Sequence, residues 1–269
     1  MTLKFPRLPI AEGTADKVLR ELGFDRLPID PTAIALNKEI FVQPAPSEMT
    51  GFSGMLAQYD TQFGIMFATH IESEGFRRFS IAHELGHYYL PGHVEQVLAN
   101  GAHKSRAGFG SSDPYEQEAD FFASALLMPE RLLKPILNQH DDGLELVHAI
   151  SDQCVSSLTA AAVRYARVSR SAVAVVVSRD NEVEFCLFSE AMKEAKVRWL
   201  KRGTPLPSGT LTSRFAEDVA KIAGAKSDSY SVDLSDWFEC PASHTVTEDV
   251  IGLGSYGKVL TVIYSSRLT

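Results

Sequence analysis

Apolar residues recur at helical spacing through much of the first half of the chain. They predict helices over Ala11–Leu22, Phe76–Leu90 and Tyr115–Met128, the last two followed by proline-containing turns. Two apolar runs, Gly54–Gln58 and Phe63–Ala68, are joined by a polar turn and predict a β-hairpin. An exposed edge of this hairpin would accept an extended peptide as an added strand, whereas a buried hairpin would not. The pattern is compatible with both arrangements.

The second half of the chain has a different pattern. Leu144–Cys154 and Ser157–Arg167 predict two helices in a helix-turn-helix-shaped pair. β-Branched runs at Ala172–Val177 and Val183–Phe188 predict a second hairpin, and Val250–Ile263 predicts two more strands around a glycine-rich turn. We therefore predict an α+β fold, in which a helical domain with a small β-hairpin or sheet precedes a smaller α/β domain.

Domain boundaries are predicted where the composition shifts. The polar run His140–Gly143 separates the first helices from the helical pair, and the β-branched runs begin shortly after residue 170. We predict a first domain at 1–142, a helix-turn-helix-shaped segment at 143–170, and an α/β regulatory or sensor domain at 171–269.

Three further stretches are less regular. Residues 93–113 are rich in Gly, Ser and Ala and predict a surface loop. Thr212–Ala223 predicts one helix, and Val197–Leu200 predicts a short strand or the end of a helix. Gly252–Gly257 fits the pattern GxGxxG, but the strand-like run after it indicates a hairpin turn, because a dinucleotide fingerprint is followed by a helix.

Composition argues against several classes of protein. The formal net charge of −8 is unlike that of a general nucleic-acid binder, so DNA binding is not expected. No run of about 18 apolar residues is present, so no membrane span is expected. The three cysteines are too far apart for a disulfide framework or a Cys-x-x-Cys metal site. Because the N-terminus also lacks the apolar stretch of a signal peptide, we predict a cytoplasmic protein.

The motif His83-Glu-Leu-Gly-His87 carries the candidate chemistry. In a helix, residues i and i+4 lie on one face, so the imidazoles of His83 and His87 can bind one Zn²⁺. Glu84 follows the first histidine and can take a proton from a water at the open coordination position. Gly86 leaves one side of the helix free of bulk. The motif therefore predicts a zinc site with Glu84 as general base.

A catalytic zinc site with two histidines needs a third protein ligand. His93 lies six residues after His87, which is the spacing of the HExxHxxGxxH motif, but Leu90 occupies the position of that motif's glycine. The second candidate is Glu116, which begins the third predicted helix. The pattern favours Glu116, and His93 is the alternative.

The third predicted helix carries two more carboxylates near Glu116. Asp120 lies one turn later on the same face, where it can accept the spare ring N–H of a ligand histidine. Glu118 is the alternative carboxylate to Glu116, but it points about 200° around the helix from Glu116 and is expected in solvent. His93, His103 and Tyr115 are close to the motif in sequence and are candidates for stabilising an oxyanion.

Two segments resemble the ImmA/IrrE family of zinc metallopeptidases. Arg77–Leu90 is similar to that family's RFTLAHELGHYLL-type pattern, and Glu116–Pro129 is similar to its ExEAxxFAxxLLMP-type pattern. The resemblance extends over roughly residues 10–165 and includes the Leu27-Pro-Ile-Asp-Pro segment. It implies a zincin-like helical peptidase domain.

The resemblance also implies roles for the site residues. His83, His87 and Glu116 would bind Zn²⁺, and Glu84 would be the catalytic base. Members of the family resemble one another in cleaving a helix-turn-helix repressor of the XRE type, in stress or mobile-element responses. Some carry a GAF-like second domain, which the predicted α/β domain resembles. The expected function is that of a zinc endopeptidase with a specific protein substrate.

A non-catalytic regulator is the alternative function. In that interpretation the helical pair binds a repressor or DNA, and the metal has a structural role. Arg164, Arg167 and Arg170 recur near the end of the pair, but Gln153-Cys154 fills the turn where glycine is usual. This favours a helical segment that packs on the peptidase domain.

Overall fold

A computed structural model describes residues 3–99, 101–106 and 111–265. This part of the chain contains helices and two β-sheets, which confirms the predicted α+β class. It divides into two compact units, one formed by Met1–Lys134 with Ser151–Ser157 and the other by Pro135–Ile150 with Leu158–Thr269. Within the described ranges, no helix is both long and apolar enough to cross a bilayer.

The first unit packs helices against one sheet. The elements in chain order are α1 (Leu8–Glu21), α2 (Pro31–Asn37), β1 (Phe41–Pro44), β2 (Gly54–Tyr59), β3 (Gln62–Phe67), α3 (Glu74–Tyr89), α4 (His93–Val97), β4 (Ala102–Ser105) and α5 (Pro114–Leu127). The sheet has the order β1-β3-β2-β4, in which β1 is parallel to β3 and the other pairs are antiparallel. The predicted hairpin is β2 and β3, and both strands lie inside the sheet, so the alternative of an exposed hairpin edge is wrong.

Helices α3 and α5 form the centre of this unit. Ser73 caps α3 by accepting from the N–H of Phe76, and Asp113 caps α5 in the same way, with Pro114 in its first turn. Gly86 lets the two helices approach closely, because a Cβ there would lie 3.0 Å from Ala119 Cα. The close approach brings the polar side chains of α3 next to those of α5.

The stretch predicted as a surface loop after α3 contains α4 and β4. Gly92 starts α4 from the left-handed region, with φ of 82°. β4 pairs antiparallel with β2, so its strand structure comes from pairing rather than from composition. Position 100 and positions 107–110 of the predicted loop lie outside the described residues.

Two helices follow α5 in the chain, α6 (Glu130–Gln139) and α7 (Leu144–Cys154). The second unit continues with α8 (Leu158–Val168), β5 (Ala172–Arg179), β6 (Glu182–Phe188), α9 (Glu190–Glu194), α10 (Leu211–Ala216), α11 (Val219–Ala223), β7 (Ser227–Asp233), β8 (Thr245–Gly252) and β9 (Val259–Ser265). Its strands form an antiparallel sheet of order β6-β5-β9-β8-β7. The core of the unit includes buried residues of β5, β6, β8 and β9.

Three details of this unit depart from or confirm the prediction. The single helix predicted over Thr212–Ala223 is two short helices, because Asp218 caps α11 by accepting from the N–H of Lys221. Val197–Leu200 is neither strand nor helix. The glycine-rich turn joins β8 to β9 through one 3-10 turn at Gly254–Tyr256, as a hairpin requires.

Candidate metal centre

Two helices of the first unit bring the metal-binding candidates together. His83 and His87 lie one turn apart on α3, and Glu116 lies in the first turn of α5. The two Nε2 atoms are 3.1 Å apart, and Glu116 places Oε2 3.3 Å from His83 Nε2 and Oε1 3.2 Å from His87 Nε2. In the part of the chain that the structure describes, these three side chains converge closely enough to hold a metal ion.

The spacing of these atoms fits zinc. Bonds of about 2.0–2.1 Å in tetrahedral geometry place neighbouring ligand atoms roughly 3.3 Å apart. Two imidazoles and one carboxylate form a ligand set of catalytic zinc sites, in which the fourth position stays open. His83 and His87 are fully buried, whereas the Glu116 side chain is 13% exposed, so solvent reaches the group from the side of Glu116.

The outer ring nitrogens of both histidines have partners. His83 Nδ1 lies 2.8 Å from Oδ1 of Asp120, and His87 Nδ1 lies 3.1 Å from Nδ1 of His93. Such partners orient a metal-binding imidazole and select its tautomer. Here they turn both Nε2 atoms towards Glu116.

The electrostatics of this group favour a positive charge at its centre. Burial alone would lower the pKa of His83, but hydrogen bonds to Asp120 and Glu116 outweigh it and raise the pKa to about 10. Burial lowers the pKa of His87 to about 3 despite the nearby charge of the Glu116 carboxylate, so this ring stays neutral. Burial opposes ionisation of Glu116, yet hydrogen bonds from His103 and His83 hold its pKa well below the usual range.

Glu84 lies next to His83, and its carboxylate is only partly compensated by its surroundings. It is fully buried, and neither oxygen has a hydrogen-bond partner of regular geometry among the described residues. Burial raises its pKa to about 7, against the charge of His83 and the nearby hydroxyl of Ser105. Gly54 on β2 makes room for it, since a Cβ there would lie 2.6 Å from Glu84 Oε1. A buried carboxylate in this state suggests a role other than stability.

The sequence-based expectation for Glu118 is wrong. Its side chain is fully buried rather than in solvent, and Arg7 and His93 surround its two oxygens. His93, the alternative third ligand, is buried as well and lies outside the group that could hold a metal. Arg7 and His93 provide the donors that a buried carboxylate needs, and the spacing of residues along α5 alone does not reveal them.

Three residues at this site have little or no local signal in the sequence. His103 on β4 places Nε2 2.8 Å from Glu116 Oε1 and is 25% exposed, but its sequence position alone does not locate it. Arg7 contacts Glu118 from 111 positions away. Gly54 is recognisable only once α3 is packed against β2. Each contact depends on tertiary structure.

The site defines a class of protein in which a helical HExxH motif is completed by a glutamate from a second helix. The sequence profile of the family described as Peptidase_M78, IrrE N-terminal-like domain, matches residues 39–178, just over half of the chain. The chain therefore belongs to this family, which confirms the predicted resemblance.

Comparison with solved structures adds information on the fold alone. A Mycobacterium tuberculosis transcriptional regulator is similar in structure, with a TM-score of 0.58 and 13% identity over 95% of this chain and 75% of that chain. Among curated protein sequences, no match was found.

Proposed function

We propose that this protein is a zinc-dependent endopeptidase that cleaves a specific regulatory protein. The description of its family supports a peptidase, and the convergence of His83, His87 and Glu116 supports a metal. The observation that carries the proposal is the buried carboxylate of Glu84, which lies beside His83 and has no hydrogen-bond partner of regular geometry among the described residues. A structural zinc site is closed by four protein ligands and has no use for such a group.

The residues of the site have distinct roles in this proposal. His83, His87 and Glu116 would hold Zn²⁺, which when bound polarises a scissile carbonyl and acidifies a water. Glu84 accepts a proton from the attacking water and then delivers it to the leaving amine. No regular hydrogen bond competes for its oxygens among the described residues. Asp120 holds the ring of His83 through Nδ1.

The proposed substrate is a helix-turn-helix transcriptional repressor of the XRE type, cleaved in the cytoplasm during a stress or mobile-element response. The resemblance of Arg77–Leu90 and Glu116–Pro129 to the ImmA/IrrE family supports this substrate class. The similar fold of a protein called a transcriptional regulator is compatible with it. We assign residues 171–269 a regulatory or sensor role, on the resemblance to GAF-like domains.

A non-catalytic regulator with a structural metal is the second candidate. The observation that favours it is the complete burial of Glu84 and both histidines, which narrows the access of a substrate to the metal. Its DNA-binding form has less support, because Arg164 of the helical pair is 1% exposed and the chain has a net charge of −8.

The substitution Glu84→Ala distinguishes the two candidates. The zinc-loaded full chain is incubated with purified XRE-type repressors from the same genome, and products are identified by intact mass spectrometry. We expect the variant to retain the wild-type zinc content, measured by plasma mass spectrometry, and to cleave none of them. If the variant still releases a repressor from its operator as the wild type does, the binding function is correct. A gel shift with DNA alone tests the DNA-binding form.

A further inference from the structure

The two candidate metal-binding histidines are supported by different kinds of partner. His83 Nδ1 meets the carboxylate of Asp120 directly, and a carboxylate can only accept, so the proton lies on Nδ1. His87 Nδ1 meets a second imidazole, His93 Nδ1, at 3.1 Å. A contact between two imidazoles does not by itself say which ring donates, so the tautomer of His87 depends on the next partner of His93.

Glu118 determines that tautomer. Its Oε2 lies 3.0 Å from His93 Nε2, and because an ionised carboxylate only accepts, Nε2 of His93 carries the proton. The Nδ1 atom of a neutral His93 is then an acceptor, and His87 donates to it from Nδ1. The Nε2 lone pair of His87 is left facing His83 and Glu116, where a metal would bind.

Arg7 holds Glu118 in place from the N-terminal side of α1. Its Nε donates to Glu118 Oε1 at 2.9 Å, its Nη2 donates to Oε2 at 2.9 Å, and its backbone N–H donates to Oε1 at 2.5 Å. Nη2 also donates to the carbonyl of Pro91 at 3.0 Å, two residues before His93. A two-pronged guanidinium contact of this kind fixes the orientation of the carboxylate as well as its position.

We propose that His93, Glu118 and Arg7 are positioning residues for the metal centre. They form one hydrogen-bonded network, which holds His87 as the tautomer protonated on Nδ1. The Nε2 atom of His87 is then available to the metal. His93 and Glu118 are fully buried, so solvent does not replace either partner. The inference rests on metal binding in the proposed function, and it does not depend on peptidase activity.

The test measures the zinc dissociation constant of the full chain by competition with a chromophoric chelator. His93→Phe keeps a ring of similar size but removes both nitrogens, so we expect zinc affinity to fall about 10–100-fold. His93→Gln keeps an amide oxygen to accept from His87 and an amide N–H to donate to Glu118, so we expect it to recover most of the affinity. Glu118→Ala should weaken binding in the same direction as His93→Phe.

A packing variant controls for loss of stability. Phe122 is buried on α5, its ring stacks on Tyr89, and its side chain has no group that could take part in the hydrogen-bonded network. We expect Phe122→Leu to lower stability while zinc affinity stays at the wild-type value. If Phe122→Leu and His93→Phe weaken zinc binding equally, or if His93→Gln recovers nothing, the positioning role is rejected.

The ring nitrogens of His87 provide a second measurement. In ¹⁵N NMR spectra of the full chain, we expect wild-type His87 to be protonated on Nδ1, and His93→Phe to populate both tautomers. A wild-type chain that binds zinc, combined with an unchanged His93→Phe affinity, would overturn this inference but not the proposed function. A wild-type chain whose zinc binding does not require His83 and His87 would overturn both.

Discussion

Glu84 in the first unit and Glu248 in the second are both buried completely, and their carboxylates have opposite surroundings. Glu248 on β8 accepts hydrogen bonds from the backbone N–H of Leu211 at 3.1 Å and of Thr212 at 2.7 Å, and from the hydroxyl of Thr212 at 2.7 Å. Glu84 on α3 has no partner of regular geometry for either oxygen within the described part of the chain.

This difference separates a carboxylate with a structural partner from one with a proposed catalytic role. Glu248 satisfies N–H groups at the start of α10, so the helix compensates for its burial. An unsatisfied buried group lowers stability by about 1–3 kcal/mol, and more when it is charged. Proteins break such local rules mainly at functional sites. The surroundings of Glu84 therefore agree with its proposed catalytic role in the first unit, whereas the hydrogen bonds of Glu248 stabilise the second.

Two closely packed glycines show the same contrast. A Cβ at Gly252 would lie 2.5 Å from Ile222 Cα, so this glycine lets a strand approach the backbone of a helix in the second unit. A Cβ at Gly54 would instead lie 2.6 Å from a carboxylate oxygen of Glu84 in the first unit. One glycine serves packing, and the other makes room for a side chain with a proposed role in catalysis.

The substitution Glu84→Gln should produce the largest effect. The amide has nearly the same shape but cannot accept the proton, so we expect repressor cleavage to slow about 10²–10⁴-fold at unchanged zinc content. Initial rates from intact mass spectrometry measure this loss. Glu248→Gln is the matched control and should cleave at the wild-type rate when both are assayed well below their unfolding temperature. Equal losses in the two variants would remove the functional distinction between the carboxylates.

Gly54→Ala should give the next largest effect. The added methyl group displaces the carboxylate of Glu84, and a displacement of about 1 Å can slow catalysis about 10²-fold. Zinc content should stay at the wild-type value, because the proposed metal-binding side chains lie on α3 and α5.

Gly64→Ala is the matched control for Gly54→Ala in the same sheet. A Cβ at Gly64 would meet only the carbonyl oxygen of Phe41, at 3.9 Å, which is an ordinary contact. We expect this variant to retain the wild-type cleavage rate. If it loses as much activity as Gly54→Ala, general damage to the sheet explains both losses, and contact with Glu84 does not.

A feature of the site could be predicted when the residues that form it lie close together in the sequence, and not when they lie far apart. The spacing of His83 and His87 on one helix is local, and it was enough to predict that their rings converge. The environments of Glu118 and Glu84 depend on Arg7 and Gly54, which approach from distant parts of the chain. Only the packed structure reveals such contacts, so Glu118 was expected in solvent.

The fold shows the same dependence on range. The amphipathic helices and the hairpins of apolar strands were predictable from periodicity. β4 and β7 were missed, because their sequences are largely polar and most of their residues are partly or fully exposed. Their strand structure comes from pairing with β2 and β8 rather than from propensity.

Zinc should stabilise the first unit through His83, His87 and Glu116. At a free zinc concentration about 100-fold above the dissociation constant, the free energy of unfolding of the first unit should rise by about 2.7 kcal/mol. Hydrogen exchange followed by mass spectrometry should show slower exchange in α3 and α5, while β8 in the second unit is unchanged. His87→Ala should abolish the effect. Protection confined to β8 would place the metal elsewhere and would contradict the proposed centre.

The smallest expected effect is on the local stability of the metal-free protein. Here Glu84→Gln and Glu248→Gln should change the free energy of opening in opposite directions. Burial raises the pKa of Glu84 to about 7 against the charge of His83, so at pH 8 the folded state contains a buried, ionised carboxylate that its surroundings compensate only in part. We expect Glu84→Gln to raise the free energy of opening of α3 by about 1 kcal/mol, because an amide is less costly to bury than a charge. Glu248→Gln should lower the free energy of opening of α10 and β8 by about 1–2 kcal/mol. The amide replaces one acceptor oxygen with an NH₂ donor, which faces the N–H groups that the carboxylate had satisfied. Native-state hydrogen exchange at pH 8 measures both free energies of opening. If both substitutions lower the free energy of opening, the carboxylate of Glu84 has a stabilising partner in solution.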